Sequence, residues 1–165
     1  MTLAHFIGTS LVELGVRYGF GVVGSGNFHL TRAFDDAGGT FIPARHEGGA
    51  ATMADAYARA SGEVALLSVH QGCGYTNALT GIAEAAKSRT PLIVAAPCAT
   101  QHTSNFFVDQ SGLARGVGAR AITLDNPETV GDELSKIVTV ARQGRETVVL
   151  NLPIDLLDEI GRAHV

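Results

Sequence analysis

Short apolar runs alternate along the chain with longer segments whose apolar residues recur every three or four positions. The short runs are rich in Val, Ile and Leu and are bounded by Gly or polar residues, as is typical of buried strands. They predict strands at residues 20–23, 40–44, 64–69, 91–96, 121–124 and 147–152. The longer segments predict helices at residues 3–14, 28–37, 47–60, 78–86, 111–117 and 130–141.

This alternation predicts an α/β fold. Hydrophobic strands separated by helices favour one doubly wound, six-stranded, mainly parallel sheet with helices on both faces. No linker or repeat interrupts the pattern, so residues 1–165 are predicted to form a single domain. In such sheets ligands bind outside the carboxyl ends of the strands. Four polar or Gly-rich segments follow predicted strands, and they are residues 24–27, 45–47, 70–74 and 97–120.

Composition and charge narrow the function classes. The formal net charge is -4, aromatic residues make up 6% and Trp is absent, which argues against nucleic-acid binding. Cys73 and Cys98 have neither metal-ligand nor disulfide-framework spacing, so we expect reduced thiols. The N-terminus lacks a signal-peptide pattern, and no apolar run is long enough to span a bilayer. We therefore expect a cytoplasmic protein with no membrane partner.

Glu47 is the first candidate for chemistry. It follows a predicted strand and opens a predicted helix, where the positive end of the helix dipole favours an ionised carboxylate. Gly48 and Gly49 come next and let a flat ligand approach the backbone closely. The pattern favours a hydrogen-bond acceptor for a ligand. Acids are also common in first turns that bind nothing, so this residue alone leaves both interpretations open.

His70 and Ser25 follow other predicted strands. His70 is either an acid/base candidate or a structural histidine bonded to a backbone carbonyl. Cys73, at a helix start, is either an activated thiol or a packing residue. The segment 24–26 lacks the remaining Gly of a dinucleotide fingerprint and the Lys of a P-loop. It favours a plain turn that presents Ser25 to a ligand. Three further histidines at this edge lack short metal-ligand spacing, which argues against zinc: His29, His46 and His102.

Longer motifs carry a family resemblance. They are RHEGGAATMADAYAR at residues 45–59, GCGYTNALTGIAEA at residues 72–85 and SRTPLIV at residues 88–94. In this order, after the Gly-rich turn, they resemble the N-terminal pyrimidine-binding domain of thiamine diphosphate-dependent enzymes. The group of acetolactate synthase, benzoylformate decarboxylase and pyruvate decarboxylase is the nearest. The resemblance runs from about residue 2 to residue 155.

The resemblance implies a role for each matched residue. Glu47 corresponds to the glutamate that bonds N1′ of the cofactor's aminopyrimidine and shares a proton with it, which favours the imino tautomer. His70 matches an active-site histidine of the benzoylformate decarboxylase group, and Ser25 matches its substrate-facing serine. His29 and Gln110 are also expected to face the substrate. Four residues are expected to shape the pyrimidine pocket: Gly72, Gly74, Thr76 and Asn77.

Two positions depart from the acetolactate synthase pattern. Those enzymes have a small or hydroxyl residue where this chain has His70, and a glutamine where it has Phe107. These departures argue against acetolactate synthase activity. The implied function is a cofactor-activating domain of a 2-oxo acid decarboxylase or carboligase.

The resemblance also implies missing parts. The family binds the diphosphate and its Mg²⁺ through another domain, which carries a Gly-Asp-Gly motif that this chain lacks. We therefore expect an excised domain, a truncated product or a split subunit that is inactive alone. It would pair with a diphosphate-binding domain and form a homodimer or larger assembly. The alternatives are a non-catalytic interaction module and an unrelated nucleotide-binding domain.

Overall fold

The computed structural model describes residues 1–157 as alternating helices and strands. The helices are α1 (Leu3–Glu13), α2 (Phe28–Asp36), α3 (Glu47–Ser61), α4 (Cys73–Lys87), α5 (Gln110–Gly116), α6 (Val130–Gly144) and α7 (Ile154–Leu157). The strands are β1 (Tyr18–Gly21), β2 (Thr40–Pro43), β3 (Ala65–Ser68), β4 (Leu92–Cys98), β5 (Arg120–Thr123) and β6 (Thr147–Pro153). Residues 158–165 lie outside this description, and the single-domain assignment stays a prediction. Within residues 1–157, no helix has the length and apolarity to cross a membrane.

The six strands form one sheet in the order β2-β1-β3-β4-β6-β5. Every adjacent pair is parallel. In the register of the central strands, Leu66 pairs with Gly19 on one side and with Ile93 on the other. The predicted α/β class with six strands is confirmed, and the sheet is parallel throughout.

Helices cover both faces of the sheet, because successive strand residues point to opposite sides. Leu66 and Val148 pack in a core layer with α1, α2 and α6. Leu67 and Val149, each the next residue along its strand, pack with α3, α4 and α5. Both faces of the inner strands are therefore buried, which explains their continuous apolar runs.

The predicted bounds of β1 and β4 were wrong by a few residues. β1 begins at Tyr18 because Tyr18 pairs with Thr40 on the neighbouring strand. The apolar run continues past the strand end, where the Val22 carbonyl accepts a hydrogen bond from Nδ2 of Asn27 at 3.1 Å. β4 continues through Pro97, which pairs with Leu152 of β6. On its other side β3 has already ended, so Pro97 interrupts no ladder there.

Helix α4 begins five residues before its apolar periodicity, at Cys73 instead of Ala78. Its first turns carry Thr76 and Asn77, which are exposed at the sheet edge. An amphipathic pattern cannot mark a turn that faces a site instead of the core. The part of α4 that the sequence missed is therefore the segment that we expect to bind a ligand.

Candidate active site

Three of the predicted loops meet where the parallel strands end, which we call the carboxyl edge of the sheet. Their contact depends on glycine. A side chain on Gly24 would collide with the ring of His70, and one on Gly26 would collide with Gln71. A methyl group on Gly72, whose φ is +66°, would lie 3.0 Å from the carbonyl oxygen of Phe106. The glycines therefore let the β1–α2, β3–α4 and β4–α5 connections pack against one another.

Helix α3 presents Glu47 at this edge in its first turn. His46 caps the helix, since its Nδ1 accepts the Gly48 N–H at 3.0 Å. The half-buried carboxylate of Glu47 accepts a hydrogen bond through Oε2 from Nδ2 of Asn77 on α4, at 3.0 Å. Two helices thus fix the acid, and one of its oxygens is already engaged.

Gly74 lies beside the other oxygen of Glu47. A methyl group on Gly74 would lie 3.3 Å from Oε1 of Glu47 and 3.0 Å from Cβ of His70. Such contacts are at or below ordinary van der Waals separation, so a side chain there would crowd both neighbours. The absence of a side chain lets α4 approach Glu47 and His70 closely and leaves Oε1 uncovered on this side. Glu47, His70 and Gly74 therefore lie together in one cluster at the carboxyl edge.

His70 has a defined tautomer when its ring is neutral. Its Nδ1 lies 3.0 Å from the carbonyl oxygen of Gln71, and a carbonyl can only accept. Nδ1 therefore carries the proton, and Nε2 accepts from the hydroxyl of Ser25 at 3.2 Å. The ring of Phe106 lies with its centroid 5.5 Å from that of His70. His70 is therefore bonded to a backbone carbonyl, as the structural alternative states. Its side chain is also partly exposed at the carboxyl edge.

Sequence reasoning missed two buried amides that support these loops. Asn27 is 1% exposed, and its Oδ1 accepts the Gly24 N–H at 2.7 Å. Its Nδ2 also donates to Oγ of Ser68 at 2.9 Å. Gln71 is buried next to Gly26, and its Oε1 has no hydrogen-bond partner among the described residues. The sequence held one signal for each residue. Asn27 closes a Gly-rich turn, and Gln71 lies just after a predicted strand.

The other predicted residues occupy the periphery. Thr76 is exposed, and its hydroxyl donates back to the Cys73 carbonyl at 3.1 Å. His29 is exposed on α2 and lines a cavity of about 180 Å³ together with Ser25 and Ile154. This cavity lies beside the Ser25–His70 pair.

The structure does not bring Gln110 into this cluster. The side chain is 3% exposed, and Nε2 donates to Oδ1 of Asn151 at 3.1 Å and to the Ala96 carbonyl at 3.3 Å. Its backbone carbonyl accepts from the buried hydroxyl of Tyr75 at 3.2 Å, and burial raises the pKa of that phenol to about 12. Gln110 anchors α5 to the sheet, and its predicted contact with substrate stays a prediction.

A family comparison shows which family the chain belongs to. The model of the thiamine pyrophosphate enzyme N-terminal TPP-binding domain matches residues 1–115. The chain belongs to this family. The matched range includes Glu47, His70, Gly74 and Asn77, which are the residues of the cluster described above. It excludes the alternative of an unrelated nucleotide-binding domain.

Similar proteins with known names agree with the family. An acetolactate synthase isozyme 3 large subunit from Escherichia coli is 34% identical over 94% of this chain and 28% of its own length. A sulfoacetaldehyde acetyltransferase from Rhodobacter capsulatus is 31% identical over 88% of this chain and 25% of its own length. An acetolactate synthase large subunit from Haemophilus influenzae is 32% identical over 94% of this chain and 28% of its own length. The chain spans about a quarter of the length of these relatives.

Proposed function

We propose that this chain is the pyrimidine-binding half of a thiamine diphosphate-dependent 2-oxo acid decarboxylase or carboligase. The observation that carries the proposal is how the two carboxylate oxygens of Glu47 are surrounded. Asn77 engages Oε2, while Oε1 lies next to Gly74, which has no side chain to cover it. A carboxyl held in this way can hold or release a proton at Oε1 toward a ring nitrogen.

The residues at the carboxyl edge fit an aminopyrimidine. A flat heterocycle needs access to the acid, and Gly74 places no side chain between them. Thiamine diphosphate, when bound, supplies the electron sink for breaking or forming a carbon–carbon bond next to a carbonyl. The amide of Asn77 fixes the orientation of the Glu47 carboxylate, because Nδ2 donates to Oε2 at 3.0 Å.

His70 and Ser25 are suited to the substrate side of the reaction. Nε2 of His70 points to the Ser25 hydroxyl, so this pair can pass a proton to or from a group placed beside it. The carbonyl of Gln71 holds the ring in one orientation. The adjoining cavity with His29 offers room for a small acid. A 2-oxo acid is the substrate class that the family and these donors support.

Part of the proposed site lies outside this chain. We expect the diphosphate and its Mg²⁺ to be held by a second domain, in the same polypeptide or in a partner chain, and the assembly to be a dimer or larger. The proposed role rests on the cluster of Glu47, Gly74 and Asn77. The non-catalytic alternative is not favoured, because the similar proteins carry the names of enzymes, acetolactate synthases and sulfoacetaldehyde acetyltransferases.

The substitution Glu47→Gln tests the proposal in an assembly of this chain with a diphosphate-binding domain. Glutamine keeps the shape and the contact with Asn77 but cannot share a proton. We expect calorimetry to show near-normal binding of thiamine diphosphate with Mg²⁺, and CO₂ release from 2-oxo acids to fall roughly 100-fold or more. Glu13→Gln, an exposed acid at the end of α1, is the matched control and should change neither.

The test has two outcomes that contradict the proposal. If the wild-type assembly binds the cofactor but releases CO₂ from no 2-oxo acid, the enzymatic role is wrong. If Glu47→Gln retains full activity, the carboxyl does not take part in proton transfer.

A further inference from the structure

A second cavity lies at the opposite edge of the sheet, where β5 and β6 begin and where α4 and α6 end. Its volume is about 280 Å³. Among its lining residues are three arginines, Arg89, Arg120 and Arg145, and one carboxylate, Glu146. Positive charge therefore exceeds negative charge within this small concave surface. We call it the arginine cavity. None of its lining residues has a part in the proposed reaction.

Two of these arginines have an unusual backbone. Arg89 has φ +54° and Arg145 has φ +51°, and they are the non-glycine residues with positive φ in the part of the chain that the structure describes. Both follow the last turn of a helix, where glycine is the usual residue because an L side chain is strained there. The strain falls on two residues that share one cavity, and strained backbone is often retained where a side chain has a function.

Capping alone does not explain the pair. A cation near a helix C-terminus interacts favourably with the dipole. A lysine or arginine one turn earlier does the same without a strained backbone, and Lys87 and Arg142 already stand in the last turns of α4 and α6. The dipole therefore has its cations, and Arg89 and Arg145 add two more.

The guanidinium groups keep donors available. Arg120 forms a two-point ion pair with Glu146, at 2.6 and 3.0 Å. Nη2 of Arg89 donates to the Gly144 carbonyl at 3.1 Å. Arg145 makes no side-chain hydrogen bond to another residue within 1–157. Each arginine carries five N–H donors in a fork that matches phosphate oxygens, so the cavity has more donors than protein acceptors.

We propose that the arginine cavity binds a small anion bearing one or two phosphate groups, with Arg145 and Arg89 as its principal ligands. The site is separate from the carboxyl edge, and the proposal does not depend on the function proposed above. Arg120 forms an ion pair with Glu146, which offsets its charge, so Arg89 and Arg145 carry the excess positive charge of the cavity. A phosphorylated metabolite that binds here would act at a distance from Glu47.

Arg145→Gly tests this proposal because we expect it to raise the thermal stability of the chain and to weaken its binding of anions. Glycine relieves the strained φ, so we expect the thermal midpoint to rise by about 2 °C. We also expect the affinity for pyrophosphate, measured by NMR titration of the 165-residue chain at fixed ionic strength, to fall roughly tenfold. Inorganic phosphate and pyrophosphate are titrated separately, to distinguish a one-phosphate from a two-phosphate ligand.

Arg17→Gln is the matched control. It removes one positive charge from an exposed residue that precedes β1 at the same edge of the sheet, outside the cavity, and it should leave the affinity unchanged. The proposal is overturned if neither anion binds the wild-type chain, if Arg145→Gly binds as well as wild type, or if Arg17→Gln weakens binding equally. A fall in the thermal midpoint of Arg145→Gly would contradict the strain argument.

Discussion

Gly74 shows how one missing side chain shapes the candidate site. The substitution Gly74→Ala would place a methyl group 3.3 Å from Oε1 of Glu47 and 3.0 Å from Cβ of His70. We expect the fold to survive, since alanine is favourable in a helix, and the added methyl group to cover Oε1. An aminopyrimidine fragment of thiamine, titrated into the chain by NMR, should bind roughly tenfold more weakly or not at all.

Gly116→Ala, at the end of α5 and away from the carboxyl edge, provides the control. A methyl group there meets nothing within 4 Å. The variant should bind the fragment as the wild type does, and its free energy of unfolding should rise by about 0.5–1 kcal/mol, because alanine replaces glycine within a helix. Equal binding by both alanine variants would show that Gly74 does not border the ligand.

At the residue scale, the sequence predicted the acid and the glycines but not their support. Glu47 and Gly74 stand in recognisable motifs, and each has chemistry that a reader of the sequence can name. Asn27 and Gln71 are buried amides whose role depends on which loop packs against which. That contact joins segments far apart in the chain, and no local pattern encodes it.

At the scale of elements, α3 and α4 must keep a fixed relation, because one carries Glu47 and the other carries Asn77. Asp55 of α3 is buried and accepts the Thr90 hydroxyl at 2.6 Å, just before β4. It also pairs with Arg59, which reaches Glu84 on α4. A network at the far end of α3 thus ties both helices to the sheet.

Asp55→Ala should therefore destabilise the fold. The buried hydroxyl of Thr90 would lose its charged acceptor, at a cost of about 2 kcal/mol in the free energy of unfolding measured with urea. Asp36→Ala is the control, because it breaks an exposed Asp–Arg pair of the same i,i+4 spacing with Arg32. That change should be within experimental error. Similar losses in both variants would show that burial of Asp55 contributes nothing.

Element bounds were predicted where apolar periodicity and packing coincide. α2 and α6 begin where the sequence placed them, since Leu30, Phe34 and Leu134 face the core. The start of α4 was missed because Cys73, Thr76 and Asn77 are exposed at the carboxyl edge, which leaves Tyr75 as the one large apolar side chain buried in this turn. β1 was misplaced because strand pairing with β2 outweighs the position of the last apolar residues.

At the scale of the whole molecule, the parallel sheet separates two surfaces. All strands point the same way, so the β1–α2, β2–α3 and β3–α4 connections bring their polar residues to the carboxyl edge. The sequence predicted this convergence from the order of elements alone. It could not predict the arginine cavity, because the φ of Arg89 and Arg145 depends on how α4 and α6 end against the sheet.

A partner domain that covers the carboxyl edge should leave a chemical footprint. Cys73 is exposed at this edge, at the start of α4. Cys98 is partly buried at the end of β4, and burial raises the pKa of its thiol to about 11, with the charge of Asp155 adding to the effect. Iodoacetamide reacts with thiolates. At pH 8 only about one part in a thousand of Cys98 is ionised.

We therefore expect mass spectrometry of the isolated chain at pH 8 to show alkylation of Cys73 and little of Cys98. Addition of the diphosphate-binding domain with thiamine diphosphate and Mg²⁺ should protect Cys73. Cys98 is the internal control, since it should remain slow in both samples and react faster only as the pH approaches its raised pKa. Unchanged alkylation of Cys73 in an assembly that releases CO₂ would mean that the partner approaches from another side. Such a result would separate the chemistry at Glu47 from the surface that we assign to the partner.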